Sequence, residues 1–364
     1  MSLDSVMSSD QRSVLVIGPS WVGDLVLAQA FFMALRDRGV AAVDVVTPPG
    51  PFPLLERIPE VREAFVLKAR HGELGLGVRW EMARHLKTRN YDQAYILPSS
   101  LKSALLPALA GIPVRTGHRG EFRFGLVNDI RPELPDSFDG PHRNVRGFLG
   151  LVAPGVATAD VLPRPRLRVD GANQEQLAAR FDLGSASSVV ALAPGSAFGP
   201  SKRWPAEHFR SLARRLSGDG RVVLVVGGPD EQSLGEEIVG DAGDSCLNLC
   251  GRTSLTDAVD LLALADVTVA NDSGLAHVAG AVGSPVVVLF GPTSPRFSAP
   301  LTDRSEKLHL GLDCSPCGER TCPLGHHRCL RDITADEVMR RIEALGVFGE
   351  RATGEKEAGP ETGV

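Results

Sequence analysis

The amino-acid sequence predicts an α/β protein built from two doubly wound domains that face each other across a cleft. Apolar runs of strand length, rich in β-branched residues, alternate with longer runs of helical period, and this alternation stops and restarts mid-chain. A chain of 364 residues is also too long for one ordinary core. We therefore expect a first domain over residues 12–165, a second over residues 166–349, and disordered ends at residues 1–11 and 350–364.

The first half contains three segments with the composition of buried strands, separated by stretches of helical period. The predicted strands are RSVLVIG, AAVDVVT and YDQAYIL, and the predicted helices cover Leu25 to Arg38, Val78 to Thr88 and Leu101 to Ala110. Residues 153–173 are dense in Pro, Gly and charge, which predicts a connection between domains.

The second half repeats the pattern. Its predicted strands are SSVVALAPG, RVVLVVGG, ADVTVAND and SPVVVLFGP, with helices beginning near Pro205, Asp230, Ser254 and Gly274. Thr334 and Glu337 have capping-box spacing and Gly346 ends the same stretch, so a last helix is expected there. Charged and small residues after it predict a disordered tail.

The composition of the chain argues against two classes of protein, those that bind nucleic acid over a large surface and those that span a membrane. Lys and Arg number 39 against 44 Asp and Glu, a formal charge of −5, so a large nucleic-acid footprint is not expected. The amino terminus is polar and no run approaches the roughly 20 apolar residues of a spanning helix. We expect a cytoplasmic protein whose contact with a membrane, if it has one, is peripheral. Cys246 and Cys250 are expected to be buried thiols in a reducing compartment.

The segment VTVANDSGLAHVAG is the most informative motif. An apolar strand ends at Asn271 and Asp272, Ser273 and Gly274 follow at the turn, and His277 comes one turn into the next helix. Free N–H groups and the positive end of a helix dipole suit a pyrophosphate, and Gly274 allows close approach. The alternative is ordinary capping by Asp272 or Ser273, with His277 a satisfied side chain.

The segment LAPGSAFGPSKRWPAEHF repeats this theme after the first strand of the second domain. Ser196 lies in its loop, and Lys202 and Arg203 precede a helix start, where two cations would neutralise a diphosphate. A solvated pair is the alternative, and we keep it for Arg203. Glu231 in GGPDE and Thr253 in CGRTSL follow other strands, where their loops would hold a nucleoside. No G-x-G-x-x-G follows the first strand and no P-loop occurs, which favours a nucleotide-sugar site.

Asp24 follows Gly23 after the first strand of the first domain, so it should face the cleft from the wall opposite the phosphate loops. A carboxylate there would accept a proton from an acceptor hydroxyl while the diphosphate leaves on the other side. The alternative is that Asp24 is the N-cap of a helix at Leu25. Spacing leaves both interpretations open.

Four cysteines lie within sixteen residues of the second domain, with His326 and His327 beside them. These are Cys314, Cys317, Cys322 and Cys329. In a reducing compartment such density is typical of a structural zinc site, although the spacings are not those of paired zinc knuckles. Free or redox-active thiols are the alternative, and a catalytic zinc is not expected.

Four segments together carry a family resemblance. SWVGDLVLAQ, SSLKSALLPALAGIPVRTGHRGEFRFGLVND, PGSAFGPSKRWP and NDSGLAHVAGAVGSPVVVLFGPTSP resemble the ADP-heptose:lipopolysaccharide heptosyltransferases of glycosyltransferase family 9, and within them the heptosyltransferase II group. The similarity runs from about Val14 to Val347, in the same order across both halves. The RTGHRGEFRFGLVND segment favours this group over the heptosyltransferase I group.

The resemblance implies a GT-B fold of two Rossmann-like domains and an inverting transfer of heptose from ADP-heptose that requires no metal cofactor. The acceptor would be heptosylated Kdo–lipid A at the cytoplasmic face of the inner membrane. By matching position, Asp24 would be the general base and Lys202 the phosphate-binding lysine. The implied donor-binding residues are Ser196, Lys202, Glu231, Thr253, Asp272, Ser273, Gly274 and His277.

The same resemblance places Arg115, His118, Arg119 and Arg123 on the acceptor side of the first domain. Cations there suit the phosphates and Kdo carboxylates of the acceptor. A solvated basic loop is the alternative for each of them.

Three other functions stay open at this point. The nearest is a family 9 transferase with a different donor or acceptor. A nucleotide-sugar epimerase on the same fold would interconvert the donor without any acceptor. A metal-binding regulatory protein would have the cysteine cluster as its working part.

Overall fold

Two six-stranded sheets, each entirely parallel, form the frame of the molecule in the computed structural model, which describes residues 13–40, 43–69, 73–135, 140–184 and 186–348. The strands of the first sheet are β1 Val14–Ile17, β2 Val43–Thr47, β3 Val61–Val66, β4 Gln93–Ile96, β5 Val114–Gly117 and β6 Asp129–Ile130. Those of the second sheet are β7 Val189–Ala193, β8 Val222–Val225, β9 Cys246–Asn248, β10 Val267–Asn271, β11 Val286–Phe290 and β12 Ser305–His309.

The helices pack on the faces of both sheets, as crossovers between parallel strands require. In the first half they are α1 Val22–Arg36, α2 Leu76–Lys87, α3 Leu101–Leu109, α4 Arg143–Val152 and α5 Pro154–Ala157. In the second half they are α6 Gly171–Arg180, α7 Ala206–Gly218, α8 Gln232–Val239, α9 Leu255–Leu264, α10 Gly274–Ala281, α11 Pro295–Ser298, α12 Arg328–Arg331 and α13 Ala335–Ala344. No helix in these described ranges is both long and apolar enough to cross a bilayer.

The two sheets share one topology. The first has the strand order β3-β2-β1-β4-β5-β6, and the second has the equivalent order β12-β11-β10-β7-β8-β9. In each sheet the order reverses between the first and fourth strands, β1 and β4 in one and β7 and β10 in the other. Ligands of doubly wound sheets bind at the carboxyl ends of the strands beside such a reversal. The topology therefore indicates where a site should lie in each domain.

The predicted α/β class with two doubly wound sheets is confirmed, and every predicted strand contains an observed one. The predicted helices are also present, each with a start within three residues of the expected one. Five strands were missed: β3, β5, β6, β9 and β12. β3 and β12 have half-buried, charged sequences and lie at sheet edges, where no continuous apolar run is needed. The exact domain boundaries stay predictions, and the ends at residues 1–11 and 350–364 lie outside the described residues.

The two halves pack directly on each other through α1 and α10. Their apolar side chains belong to one continuous buried cluster, with Leu27 and Phe31 on one side and Val278 on the other. A buried ion pair also crosses the interface, because both guanidinium Nη atoms of Arg57 donate to the Asp260 carboxylate at 3.2 and 2.8 Å. These contacts fix the two strand-end edges opposite each other.

Candidate active site

A cleft of about 1170 Å³ opens where the carboxyl ends of the two sheets meet. It is lined from the first domain by the residues after β1, and from the second by the loops after β7, β8 and β10 and the start of α9. All of the predicted catalytic and donor-binding residues line it: Asp24, Ser196, Lys202, Glu231, Thr253, Asp272, Ser273, Gly274 and His277. The structure thus brings together residues that lie up to 253 positions apart in the sequence.

Asp24 lies in the first turn of α1 and faces this cleft. The helix begins at Val22, and its N-cap residue is Trp21, so Asp24 is inside the helix and is not the cap that the alternative interpretation required. Burial raises the pKa of the Asp24 carboxyl above its usual range; the positive charge of Lys202 opposes this shift and the negative charge of Asp272 adds to it. Asp24 is therefore electrostatically coupled to the opposite wall of the cleft.

Lys202 and Asp272 form an ion pair on that opposite wall. The Lys202 Nζ atom lies 2.5 Å from Asp272 Oδ2, and both side chains are largely buried. The same carboxylate accepts hydrogen bonds from the hydroxyls of Thr293 at 2.5 Å and Ser298 at 3.2 Å. The ammonium group also lies 4.8 Å from the centre of the Phe198 ring. These contacts hold one cation at a fixed place in the cleft.

The start of α10 is left open toward the cleft. Ser273 is its N-cap residue but makes no side-chain capping bond, and the Asp272 carboxylate is used by Lys202, Thr293 and Ser298. The capping alternative therefore does not describe these two residues. Asn271 fixes the turn instead. Its side-chain amide donates to the Pro194 carbonyl and accepts from the backbone N–H of Trp204. An open helix start beside a lysine is a site for an anion such as a pyrophosphate.

Two glycines let the walls of the cleft approach each other. A Cβ atom at Gly23 would lie 2.7 Å from His277 Cδ2, and one at Gly274 would lie 2.8 Å from the Cβ of Val22. Both distances are shorter than real Cβ contacts. Glycine at these positions therefore places the first turn of α1 directly against the first turn of α10.

Two buried polar atoms beside the cleft have no partner within the described residues, Ser196 Oγ and His277 Nδ1. Burial lowers the pKa of His277 to about 4, and Asp272 opposes this shift. The imidazole is therefore neutral near pH 7 and retains one N–H donor. Buried polar atoms are normally hydrogen-bonded, so both atoms are suited to a ligand in the cleft.

Glu231 and Thr253 line the cleft from the loops after β8 and β9. The Glu231 carboxylate accepts a hydrogen bond from the Gly228 N–H at 2.5 Å and packs so tightly on Gly195 that a Cβ there would lie 2.3 Å from Oε1. A carboxylate beside glycine-rich strand ends suits the hydroxyls of a ribose. Thr253 comes just before α9, and its hydroxyl donates to the Leu249 carbonyl at 3.4 Å.

The four predicted acceptor residues lie outside this cleft, around the loop between β5 and β6. Arg115 donates to the carbonyls of Ile112, Gly125 and Leu126, and Arg123, which is buried, donates to those of Pro98, His118 and Arg119. The guanidinium groups of both arginines therefore hold the loop in shape. His118 contacts the Gly147 carbonyl through Nε2, and Arg119 is exposed. Acceptor binding by this set stays a prediction, and the contacts favour Arg119 for it.

Sequence reasoning missed several cleft residues, including Phe198, Thr293, Phe297 and Ser298. Thr293 and Ser298 belong to GPTSPRFS, which follows β11 in the same sheet as β10. Polar residues that follow a strand near the reversal of strand order could have identified Thr293 and Ser298 from the sequence. The contact between Ser298 and Asp272 depends on the path of the loop, which no local pattern gives.

The four clustered cysteines line one small cavity together with His326 and His327. All are free thiols: Cys314, Cys317, Cys322 and Cys329. Within the described residues, no group of three or more Cys, His, Asp or Glu side chains has an arrangement suited to a metal ion. The structural zinc therefore stays a prediction without geometric support. Cys246 and Cys250 are buried, and burial raises their thiol pKa values to about 11 and about 12.

Comparison with known proteins decides the family. Residues 79–328 match the model of glycosyltransferase family 9 (heptosyltransferase). The chain is 39% identical to lipopolysaccharide heptosyltransferase 2 of Escherichia coli K12 over 342 residues. This alignment covers 91% of this chain and 98% of that protein. It is 36% identical to lipooligosaccharide heptosyltransferase 2 of Haemophilus influenzae, over 92% of this chain and 99% of that one.

The chain belongs to glycosyltransferase family 9. Its fold agrees, because the structure of the E. coli ADP-heptose lps heptosyltransferase II superimposes with a TM-score of 0.80 at 37% identity, over 92% of this chain and 98% of that chain. The family 9 member described here therefore has the GT-B fold and is a glycosyltransferase, similar to the heptosyltransferase II group as the sequence predicted. Membership of this family argues against the two alternatives outside it, the nucleotide-sugar epimerase and the metal-binding regulatory protein.

Proposed function

We propose that this family 9 enzyme transfers heptose from ADP-heptose to the inner-core heptose of lipopolysaccharide, as a heptosyltransferase II. The observation that carries the mechanism is the placement of Asp24 on one wall of the cleft and of Lys202 and the open start of α10 on the other. A base and an anion site on opposite walls suit a displacement at a sugar carbon between them.

In the proposed reaction the acceptor hydroxyl oxygen attacks the anomeric carbon of heptose. Its proton passes to the Asp24 carboxylate, the bond from the anomeric carbon to the β-phosphate oxygen breaks, and the electron pair leaves with ADP. Attack opposite the leaving group inverts the anomeric configuration. Lys202, the amides of Ser273 and Gly274 and the neutral His277 stabilise the negative charge that develops on the diphosphate.

The donor's position follows from the same contacts. The pyrophosphate lies at the start of α10, next to Lys202, and the nucleoside extends toward Glu231 and Thr253, which lie in the loops after β8 and β9. Ser196 Oγ and His277 Nδ1 then gain the partners they lack. The proposal assigns stabilisation of the leaving group to Lys202 and the start of α10 and includes no metal ion.

The acceptor in this proposal is heptosylated Kdo–lipid A, so the enzyme works in the cytoplasm at the inner face of the inner membrane as a peripheral protein. The assay that tests the proposal combines ADP-heptose with a defined truncated core acceptor and identifies the product by mass spectrometry. We expect one heptose added per acceptor and one ADP released. Controls use other nucleotide sugars and a non-lipid glycan acceptor.

A family 9 transferase with a different donor or acceptor is the second candidate. It would release nucleoside diphosphate with one of the control donors, or with ADP-heptose only in the presence of the non-lipid glycan. Either result would replace the proposed substrates and leave the assignment of Asp24 and Lys202 to be tested with the correct pair.

A further inference from the structure

Two segments of the first domain expose large apolar side chains that the mechanism does not use. Leu76 and Trp80, at the start of α2, are each 57% exposed. Phe122 and Phe124, in the loop between β5 and β6, are 87% and 75% exposed. Grouped exposed apolar side chains of this size mark interaction surfaces more often than isolated ones do.

Both segments lie at the same edge of the first sheet as Asp24. α2 follows β3, the first part of the loop follows β5 and α1 follows β1, and all of these strands are parallel, so the three segments begin at the carboxyl edge. The second part of the loop returns toward the start of β6, which is parallel to β5. α3, which packs on α2, links them, because the Glu121 N–H donates to the Ser99 carbonyl at 3.0 Å and the Leu101 N–H donates to Glu121 Oε2 at 3.3 Å. We call Leu76, Trp80, Phe122 and Phe124 the carboxyl-edge patch.

The loop holds its two phenylalanines outward. Arg123 lies between them in sequence and is only 2% exposed, and its guanidinium donates to three carbonyls, those of His118 and Arg119 in the loop and that of Pro98. Phe122 has a positive φ of 25°, a conformation that costs free energy for a residue other than glycine. The exposure of these rings is therefore set by a fixed loop.

Positive charge accompanies the patch. Residues 68–131 contain eleven Lys and Arg and five Asp and Glu, a net formal charge of +6 in a chain whose total is −5. At the carboxyl edge itself Lys68 and Arg119 are exposed and Lys102 is partly exposed, and the carboxylates of Glu73 and Glu121 are exposed there as well. The excess of positive charge therefore belongs to the whole segment 68–131. Exposed aromatic and aliphatic side chains on a positively charged segment are a combination that binds at the interface of an anionic bilayer.

We propose that the carboxyl-edge patch docks on the surface of a bilayer that contains anionic lipid. The rings of Trp80, Phe122 and Phe124 enter the interfacial region, and Lys68, Lys102 and Arg119 contact the head groups. This inference deepens the proposed function and rests on it for its purpose: docking by this edge turns the Asp24 side of the cleft toward a sugar that a lipid holds at the membrane.

The first test measures binding of the full-length protein to vesicles, without substrates. Vesicles of phosphatidylethanolamine and phosphatidylglycerol are compared with phosphatidylcholine vesicles by co-sedimentation. The triple variant Trp80→Ser, Phe122→Ser, Phe124→Ser should bind the anionic vesicles at least tenfold more weakly than the wild type. Matched controls are Val161→Ser and Leu324→Ser, which remove side chains that are 82% and 61% exposed elsewhere, and both should bind like the wild type.

Three results would overturn the docking proposal. The triple variant would bind anionic vesicles as well as the wild type does, the wild type would bind neutral vesicles equally well, or light scattering would show a wild-type dimer that the triple variant loses. Circular dichroism of the triple variant checks that it is folded.

A second measurement separates docking from the proposed function. With a short acceptor that has no acyl chains, the triple variant should keep the wild-type rate, whereas with an acceptor embedded in anionic vesicles its rate should fall at least tenfold. A uniform loss on both acceptors would contradict docking. If the wild type transfers heptose to neither acceptor but vesicle binding depends on the patch, the proposed substrates fail and the docking surface stands.

Discussion

Gly23 in the first turn of α1 lies directly against the imidazole of His277 in α10. A Cβ atom at Gly23 would lie 2.7 Å from His277 Cδ2 and 3.2 Å from Nε2. The general base proposed at Asp24 is the next residue in the chain, and His277 borders the proposed pyrophosphate site. The separation between Asp24 and the proposed pyrophosphate site is thus set by Gly23, which has no side chain and lies where the two domains touch.

The variant Gly23→Ala tests this relationship. The added methyl group must displace either α1 or the His277 ring, and overpacking of this kind costs roughly 1–3 kcal/mol. We expect kcat to fall at least tenfold, since Asp24 moves with α1. Gly147→Ala is the matched control: it also lies within a helix, α4, but a Cβ there meets nothing within 4 Å. The control should be fully active, and an equal loss in both variants would contradict the proposed role of the contact.

Asp24→Asn tests the general base. The amide keeps the shape of the side chain but cannot accept the proton, so kcat should fall by about 10²–10⁴ while the affinity for ADP-heptose stays nearly unchanged. Because the variant removes a carboxylate that burial disfavours, its melting temperature should not decrease. Turnover at the wild-type rate would remove Asp24 from the mechanism.

The pH dependence of the wild type gives a second measurement of the same residue. The base acts only when it is deprotonated, so kcat should fall as the pH decreases through the pKa of Asp24. Burial raises that pKa above the ordinary 3.8, so the decrease should begin at a higher pH than for an exposed aspartate. A profile of kcat against pH, with a slowly reacting donor analogue that keeps the chemical step rate-limiting, checks this.

Lys202→Ala tests the anion site, with Arg203→Ala as its neighbour control. Lys202 is largely buried and pairs with Asp272, whereas Arg203 is exposed. The Lys202 variant should bind ADP at least tenfold more weakly and lose about 10²–10³ in kcat, the scale for removing one stabiliser of a developing anion. Isothermal titration with ADP measures the first effect. Equal ADP affinity in the two variants would place the phosphates elsewhere.

The sequence was sufficient to predict the strand-end positions of the site, and it left their exact roles open. Asp24, Asp272 and Ser273 each had a capping interpretation, because Asp and Ser are favoured N-caps and spacing alone does not show which residue a helix starts at. The structure resolved this by beginning α1 at Val22 and by engaging the Asp272 carboxylate with Lys202, 70 residues away. Long-range pairing of this kind has no local signature.

The arginines of the first domain show that the sequence does not reveal which partner a charged side chain has. Arg115 and Arg123 were predicted to meet anions because the family resemblance places their segment on the acceptor side, yet their guanidinium donors bond to backbone carbonyls of their own loop and of its neighbours. A loop whose carbonyls have no strand partners needs donors, and arginine supplies several in a fixed geometry. The sequence therefore does not show which of these cations are available to a ligand.

Protonation of His277 should couple folding to pH. Burial lowers its folded-state pKa to about 4, whereas the unfolded chain has a value near 6.5. Above pH 6.5 the residue is neutral in both states and has no effect. As the pH falls from 6.5 toward 4 the unfolded state takes up the proton first, so the free energy of unfolding decreases, by up to about 3 kcal/mol. Urea denaturation at pH 7 and pH 5 measures the decrease. His277→Gln should lose less stability over this interval than the wild type, whereas the exposed control His85→Gln should keep the wild-type decrease; an unchanged decrease in His277→Gln would contradict a buried neutral imidazole at this position.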